Sequence, residues 1–115
     1  MIVAGFGYRS GATLDSLRAA LALAQAGAPG VTHVASVPDK LPLLGGLGLR
    51  TIATPELGAI VTPTRSVASL AARGTGSVAE AAALAAAGPG ARLLVARCIS
   101  PDRMATCAIA EGPQA

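Results

Sequence analysis

The chain has 115 residues, of which 52% are apolar, 2% aromatic and 13% charged, and its net charge at neutral pH is +3. This length suits one domain, expected to span residues 1–115, whose core must be built from alanine and aliphatic side chains rather than from rings. The sequence has no basic stripe with stacking aromatics, no apolar run near the roughly 20 residues of a membrane span, and no signal peptide. We therefore expect a cytoplasmic protein that binds neither nucleic acid nor membrane.

The first two thirds of the chain predict alternating short strands and helices. Leucines at three- and four-residue spacing indicate a helix that Thr13 caps and Gly27 ends. A second helix start is indicated by Thr54, which precedes a proline and an acidic residue. The elements predicted in this part are strands at residues 2–6, 31–37 and 50–53 and helices at 14–26, 41–49, 54–57 and 67–72.

The last third predicts one helix and a hairpin. Ser77 and Glu80 have the spacing of a capping box ahead of an alanine-rich helix that ends at Ala87. Residues 92–99 and 104–110 read as strands joined by a turn. The predicted fold class is α/β: a three-layer α/β/α sandwich with a mixed, mostly parallel sheet of about five strands and a C-terminal antiparallel hairpin. The expected binding face is at the carboxyl ends of its parallel strands.

The hairpin carries both cysteines of the chain. If its turn is centred on Pro101 and Asp102, Cys98 and Cys107 are diagonal neighbours on one face of the sheet. That separation is marginal for a disulfide, so two reduced thiols are expected.

The first glycine-rich segment follows the first strand. Gly5, Gly7 and Gly11 have the spacing G-x-G-x-x-x-G, whose last interval is one residue longer than in the dinucleotide-binding fingerprint. Glycines let amide groups and a helix start approach an anion closely, and Arg9 can pair with a carboxylate while Ser10 offers a hydroxyl. Two interpretations stay open, a tight strand-to-helix turn and a ligand contact, whereas a nucleotide site is less favoured.

The second glycine-rich segment precedes the alanine-rich helix. Gly74, Thr75, Gly76 and Ser77 offer amides and hydroxyls that can cradle a carboxylate or phosphate. The alternative is a capping box that only starts the helix. Two such segments in one small domain favour a ligand with several negative groups, provided that the segments meet in space.

Few other side chains indicate chemistry. Lys40 is the only lysine among eight arginines, which is either chance or a functional point charge that an arginine fork could not replace. His33 has no partner at metal-ligand spacing, so we interpret it as a strand-face histidine and predict no metal site. No Ser-His-Asp or Cys-His arrangement is evident.

Five stretches of the chain form an ordered pattern. They are GFGYRSGAT at residues 5–13, Lys40, Pro63 with Ser66, GTGSVAEAAAL at 74–84, and ATCAIA at 105–110. In this order they resemble the CobE / CbiG C-terminal-domain family of cobalamin (vitamin B12) biosynthesis, and GTGSVAEAAAL is the most specific of them. Two positions depart from the family pattern. Tyr8 stands where many relatives carry a cysteine, and apolar residues follow Lys40 in place of polar ones.

The resemblance implies a CobE-like protein that binds an anionic corrin-ring or precorrin intermediate through the glycine-rich segments. Ligand contacts are then expected from both segments and from Lys40, with no cofactor, and other enzymes of the cobalamin pathway are expected partners. The alternative is a lactone hydrolase acting on a precorrin-5A-type intermediate, as in CbiG proteins, whose N-terminal part this sequence lacks. In that case Lys40 or Glu80 activates water, and the amides of Gly76 and Ser77 hold the oxyanion.

Overall fold

The computed structural model describes residues 1–54 and 77–113. The described elements are β1 (Ile2–Tyr8), α1 (Leu14–Gln25), β2 (His33–Ser36), α2 (Leu41–Leu44), β3 (Arg50–Ala53), α3 (Val78–Ala87), β4 (Arg92–Ile99) and β5 (Ala105–Glu111). Short 3-10 turns at Pro38–Lys40 and Gly45–Leu47 flank α2. The helices predicted at 54–57 and 67–72 lie outside the described residues, apart from Thr54.

The strands form one mixed sheet with the order β3-β2-β1-β5-β4. β1 pairs in parallel with β2, and β2 with β3, whereas β5 pairs antiparallel with both β1 and β4. β5 is thus the one strand of those described that runs against the others. This confirms the predicted mixed, mostly parallel sheet with its C-terminal antiparallel hairpin. We call the edge at which β1, β2, β3 and β4 end the carboxyl edge.

Helices cover both faces of the sheet, which confirms the α/β/α layers. On one face Leu17 of α1 packs in a cluster with Phe6 of β1 and Ile109 of β5. On the other face Ala83 of α3 packs with Val3 of β1. Most buried core positions hold alanine, valine, leucine or isoleucine, with Phe6 as the buried ring, as the composition predicted.

The alanine-rich α3 lies close to the backbone of β1. A methyl group added at Gly5 would overlap with the Ala79 carbonyl oxygen and the Ala83 amide nitrogen. Gly5 is paired with β2 on one side and with β5 on the other. The missing side chain of Gly5 therefore lets the helix rest directly on the central strand.

The first strand is longer than predicted. β1 continues to Tyr8 instead of ending at Phe6, because β5 pairs with it as far as Tyr8 and Ala105. Gly7 is consequently a strand residue, and the loop before α1 begins at Arg9.

The hairpin register differs from the predicted one. Cys98 and Cys107 are direct cross-strand partners and not diagonal neighbours. The loop has four residues because Ser100 N–H donates to the Ala105 carbonyl oxygen at 2.8 Å, and this moves the centre of the turn past Asp102. Both cysteines are free thiols, as expected.

The two thiols should differ sharply in reactivity. Cys107 is fully buried, and burial raises its pKa far above the usual range, with a smaller contribution from Cys98. Because the thiolate is the reactive form, we expect a thiol reagent to label Cys98 in the folded protein and Cys107 only after unfolding. Mass spectrometry of Cys98→Ser and Cys107→Ser under native conditions checks this. Equal labelling rates of the two single-cysteine proteins would contradict it.

Candidate functional site

The strand order places the carboxyl edge of β1 at a topological switch point. From β1 the chain passes through α1 to β2 on one side, and it later passes from β3 by way of α3 to β4 on the other side. Open α/β sheets bind ligands at this kind of position, outside the carboxyl ends of the strands. The carboxyl edge around β1 is therefore the candidate site.

Two helices begin at this edge. α1 begins after Thr13, one short loop beyond β1, and α3 begins after Ser77. A methyl group placed on Gly7 would lie 3.4 Å from Cβ of Val78, so the start of α3 is beside the end of β1. The described part of the second glycine-rich segment thus lies at the same edge as the first. Gly74, Thr75 and Gly76 are outside the described residues.

The first glycine-rich segment presents its side chains more openly than its amides. Arg9, Ser10 and Gly11 are exposed, and Gly11 has the positive φ of 92° that favours glycine. The Arg9 amide donates to the Met104 carbonyl oxygen at 2.9 Å, and the Arg9 carbonyl oxygen accepts from Ala12 N–H at 3.0 Å. Some backbone polar groups of this loop are therefore already bonded to other protein atoms. The side chains of Arg9 and Ser10 are its exposed polar groups.

The start of α1 is compensated by a carboxylate of the protein itself. Thr13 and Ser16 form a capping box, in which each side chain accepts from the other's backbone amide. The Ser16 hydroxyl donates to one carboxylate oxygen of Asp102 at 2.6 Å, and the Ser100 hydroxyl donates to the other at 2.5 Å. A negative charge is stabilising near the positive end of a helix. Asp102 supplies that charge at α1, and it ties the β4–β5 turn to this helix.

These contacts predict a dependence of stability on pH. Hydrogen bonds from Ser100, Ser16 and the Met104 amide lower the pKa of Asp102 below its ordinary 3.8. The unfolded chain therefore takes up this proton more readily than the folded protein does. The stabilisation is present above the ordinary pKa and is lost as the pH falls through the lower pKa of the folded state.

We accordingly expect Asp102→Asn to be less stable than the wild type at neutral pH, with the difference shrinking below pH 3.8. Urea unfolding at a series of pH values measures this difference. Asp15→Asn is the control, because the Asp15 side chain is 93% exposed and its described ion pair is with Arg18 at 3.7 Å. A stability difference for Asp102→Asn that stays constant into acid would contradict the prediction.

Lys40 lies at the carboxyl edge, just beyond β2, in contact with Tyr8 at the end of β1. The Tyr8 hydroxyl donates to the Lys40 carbonyl oxygen at 2.7 Å, and the Lys40 ammonium lies 4.6 Å from the centre of the Tyr8 ring. Burial raises the pKa of the Tyr8 phenol, and the negative charge of Asp39 raises it further. Sequence reasoning missed Tyr8, although it is the only tyrosine and precedes Arg9 at the end of a strand.

Ser77 and Glu80 are both buried at the start of α3. The Ser77 hydroxyl accepts from Glu80 N–H at 3.2 Å, which confirms this residue as the N-cap of the predicted helix. The Glu80 carboxylate accepts from Arg97 N–H on β4 at 2.9 Å. Glu80 thus joins the helix start to an edge strand. Its role as a base stays a prediction, as does the role of the Ser77 amide as an oxyanion donor.

Sequence reasoning also missed two further residues at the carboxyl edge. Arg103, exposed in the β4–β5 turn, precedes Met104, whose carbonyl oxygen accepts the Arg9 amide, so the backbones of the two arginines are close. Thr54 follows β3, and its buried hydroxyl has no hydrogen-bond partner in the part of the chain that the structure describes. Arg103 could have been assigned to the carboxyl edge from the sequence only if β4 had been known to run parallel to β1.

Other kinds of site are not found in the described ranges. Residues 1–54 and 77–113 contain no group of three histidine, cysteine or acidic side chains that could hold a metal ion. His33 begins β2 at the opposite edge of the sheet, and its ring nitrogen bonds to the Thr32 hydroxyl at 2.7 Å. Within the same ranges, no helix combines the length and the apolar character needed to cross a bilayer.

The layers and the carboxyl edge define a small, doubly wound α/β protein with cationic side chains at the edge where such sheets bind ligands. The family model described as "Cobalamin synthesis G C-terminus" matches residues 2–110, and the chain belongs to this family. It is a CobE/CbiG-like protein of cobalamin biosynthesis, as the resemblance of the five ordered stretches implied.

Two solved structures resemble the protein over nearly its whole length. The cobalamin biosynthesis protein chiG from Agrobacterium tumefaciens str. C58 is 34% identical with a TM-score of 0.71, covering 99% of this chain and 100% of that one. CobE, a protein from the cobalamin (vitamin B12) biosynthetic pathway, is 29% identical with a TM-score of 0.76, covering 96% of this chain and 89% of that one. No curated protein matches the chain.

Proposed function

We propose that this protein binds an anionic corrin-ring intermediate of cobalamin biosynthesis at the carboxyl edge. The observation that carries the proposal is the convergence of the end of β1 with the start of α3, next to the cations Arg9, Lys40 and Arg103. Corrin intermediates carry acetate and propionate groups around a broad apolar ring. A site for them needs several separated carboxylate contacts along a flat, open surface.

The chemistry of the edge residues supports carboxylates as the recognised groups. An arginine side chain can donate two parallel hydrogen bonds to one carboxylate. Arg9 and Arg103 are exposed and lie in loops, outside the β-strands. The start of α3 adds the positive end of a ten-residue helix, which Glu80 in its first turn compensates in part. The start of α1 offers less, because Asp102 already compensates it.

Hydroxyl groups supply the remaining contacts of the proposed site. Ser10 is exposed beside Arg9, and Ser77 can still donate its hydroxyl hydrogen while its oxygen accepts from Glu80 N–H. A buried hydroxyl without a partner is unfavourable, and the Thr54 hydroxyl, which has none among residues 1–54 and 77–113, would gain one from a ligand at this edge. Thr75, with Gly74 and Gly76, completes the proposed set.

The proposed function can be tested with two corrins that differ in charge. Cobyrinic acid carries free acetate and propionate groups, whereas in cobinamide these are amides. We expect saturable, micromolar binding of cobyrinic acid, followed by visible absorbance or by heat, and at least about tenfold weaker binding of cobinamide because the charge-assisted hydrogen bonds are lost. Absence of saturable binding, or equal affinity for the two corrins, would overturn the proposal.

A protein that binds an intermediate without converting it must receive it from one enzyme and release it to another. Other enzymes of the cobalamin pathway are therefore the proposed protein partners. The alternative function is a lactone hydrolase. It requires that the side chain of Glu80 or Lys40 reach a water molecule bound beside the substrate.

A further inference from the structure

One tyrosine and one lysine, each the only residue of its type in the chain, are in contact at the carboxyl edge. Tyr8 contacts Lys40 in two different ways. Its hydroxyl donates to the Lys40 carbonyl oxygen, and its ring faces the Lys40 ammonium. The first contact fixes the backbone of the turn after β2, and the second restrains the long side chain that this turn carries.

Tyr8 is itself well anchored. It is the last residue of β1, where it pairs with Ala105 of β5, and its side chain packs against the core cluster on the α1 face together with Leu41. Its raised pKa keeps the phenol protonated at physiological pH, so the hydroxyl remains a donor. The lysine is therefore held by a group that does not itself change charge in the cell.

Restraint of this kind matters most for lysine. Its ammonium sits on a flexible stem, and freezing that stem on binding opposes affinity. A side chain that is already held near its bound position loses less freedom when the ligand arrives. A ring face attracts an ammonium without neutralising its charge, so the ammonium can still pair with an anion.

We propose that Tyr8 is a positioning residue that holds Lys40 ready to pair with one carboxylate of the ligand. This inference rests on the proposed function, because it assigns one carboxylate contact of that site. It adds the residue that places the contact, which neither composition nor motif spacing indicated.

A double-mutant cycle on cobyrinic acid binding tests the proposal. Lys40→Ala is expected to weaken binding about tenfold, as for the loss of one charge-assisted contact. Tyr8→Leu should weaken it several-fold, and adding Tyr8→Leu to Lys40→Ala should cause no further loss. Tyr8→Phe keeps the ring and should lie between wild type and Tyr8→Leu. The control is Arg50→Ala, which removes one exposed positive charge at the start of β3, on the opposite edge, and should bind like the wild type.

A purely structural role for Tyr8 predicts a different result. Its loss would then weaken binding by the same factor with or without Lys40, and it would leave the salt dependence of binding unchanged. We expect instead that Tyr8→Leu, like Lys40→Ala, reduces the dependence of affinity on salt. If wild type fails to bind cobyrinic acid, the proposed function falls and this inference with it. Wild-type binding with additive effects overturns the inference alone.

A measurement on the free protein tests the contact without any ligand. Because Lys40 is the only lysine, protein grown with isotope-labelled lysine has a single lysine side-chain signal in NMR spectra. The Tyr8 ring should shift this signal from the position of free lysine. Tyr8→Phe should retain most of the shift, and Tyr8→Leu should abolish it. Identical lysine signals in wild type and Tyr8→Leu would show that the ring does not hold the ammonium.

Discussion

Replacing Gly5 by alanine is expected to destabilise the protein by about 3 kcal/mol or more, the upper end of the range for overpacking in a core. The added methyl group would overlap with backbone atoms of Ala79 and Ala83 and would lie 2.9 Å from the Ala83 side chain. Backbone atoms cannot rotate away as the end of a flexible side chain can. Helix α3 would have to move off β1 and give up its packing against Val3.

Denaturant unfolding of Gly5→Ala measures this cost, and the chain offers a matched control. A methyl group added at Gly30 meets no atom within 4 Å, and Gly30 does not have a positive φ. Gly30→Ala should therefore be about as stable as the wild type. If Gly5→Ala and Gly30→Ala unfold at the same denaturant concentration, the close approach of α3 to β1 is not present in solution.

The role of Gly5 shows which features of the fold could be predicted from the sequence and which could not. Short strand-like runs bounded by turn residues predicted β3 at 50–53 and β4 at 92–99 with the bounds that the structure has, because such runs depend on local sequence. The reason for a glycine depends on what lies opposite it. G-x-G before a helix indicated either a tight strand-to-helix turn or a ligand contact, whereas Gly5 is explained by a helix that begins more than 70 residues later in the chain.

The candidate site was predictable to a similar extent. Arg9 and Lys40 stand out in a sequence with few charges, and both lie at the carboxyl edge. In the sequence, Tyr8 stands out only as a departure from the family pattern and Thr54 only as a helix start, and Arg103 does not stand out. Their positions follow from the strand order and from the four-residue turn of the hairpin, which place the ends of β3 and β4 at the same edge of the sheet as the end of β1, each separated from it by one strand. Strand order is a long-range property that short motifs do not contain.

The buried Glu80 is the residue for which a structural and a catalytic role predict opposite results. Its carboxylate accepts the Arg97 amide, and its own amide donates to Ser77, so its side chain and backbone help to hold the start of α3 against β4. We expect Glu80→Gln to lose about 2 kcal/mol of stability, in the range for a hydrogen bond to a charged group that leaves a buried partner poorly satisfied. Urea unfolding measures this loss.

Glu111→Gln is the matched control for this substitution. Glu111 pairs with Arg92, whose side chain is 74% exposed, and such a surface ion pair contributes less than about 1 kcal/mol. The same glutamine substitution should therefore be much milder at position 111.

A catalytic base behaves in the opposite way, because its replacement by an isosteric amide removes turnover while leaving the fold largely intact. Loss of lactone hydrolysis in a Glu80→Gln protein as stable as the wild type would establish the hydrolase role. A destabilised Glu80→Gln that still binds cobyrinic acid with wild-type affinity while folded would place Glu80 in the framework that presents Arg9, Lys40 and the start of α3 to the ligand.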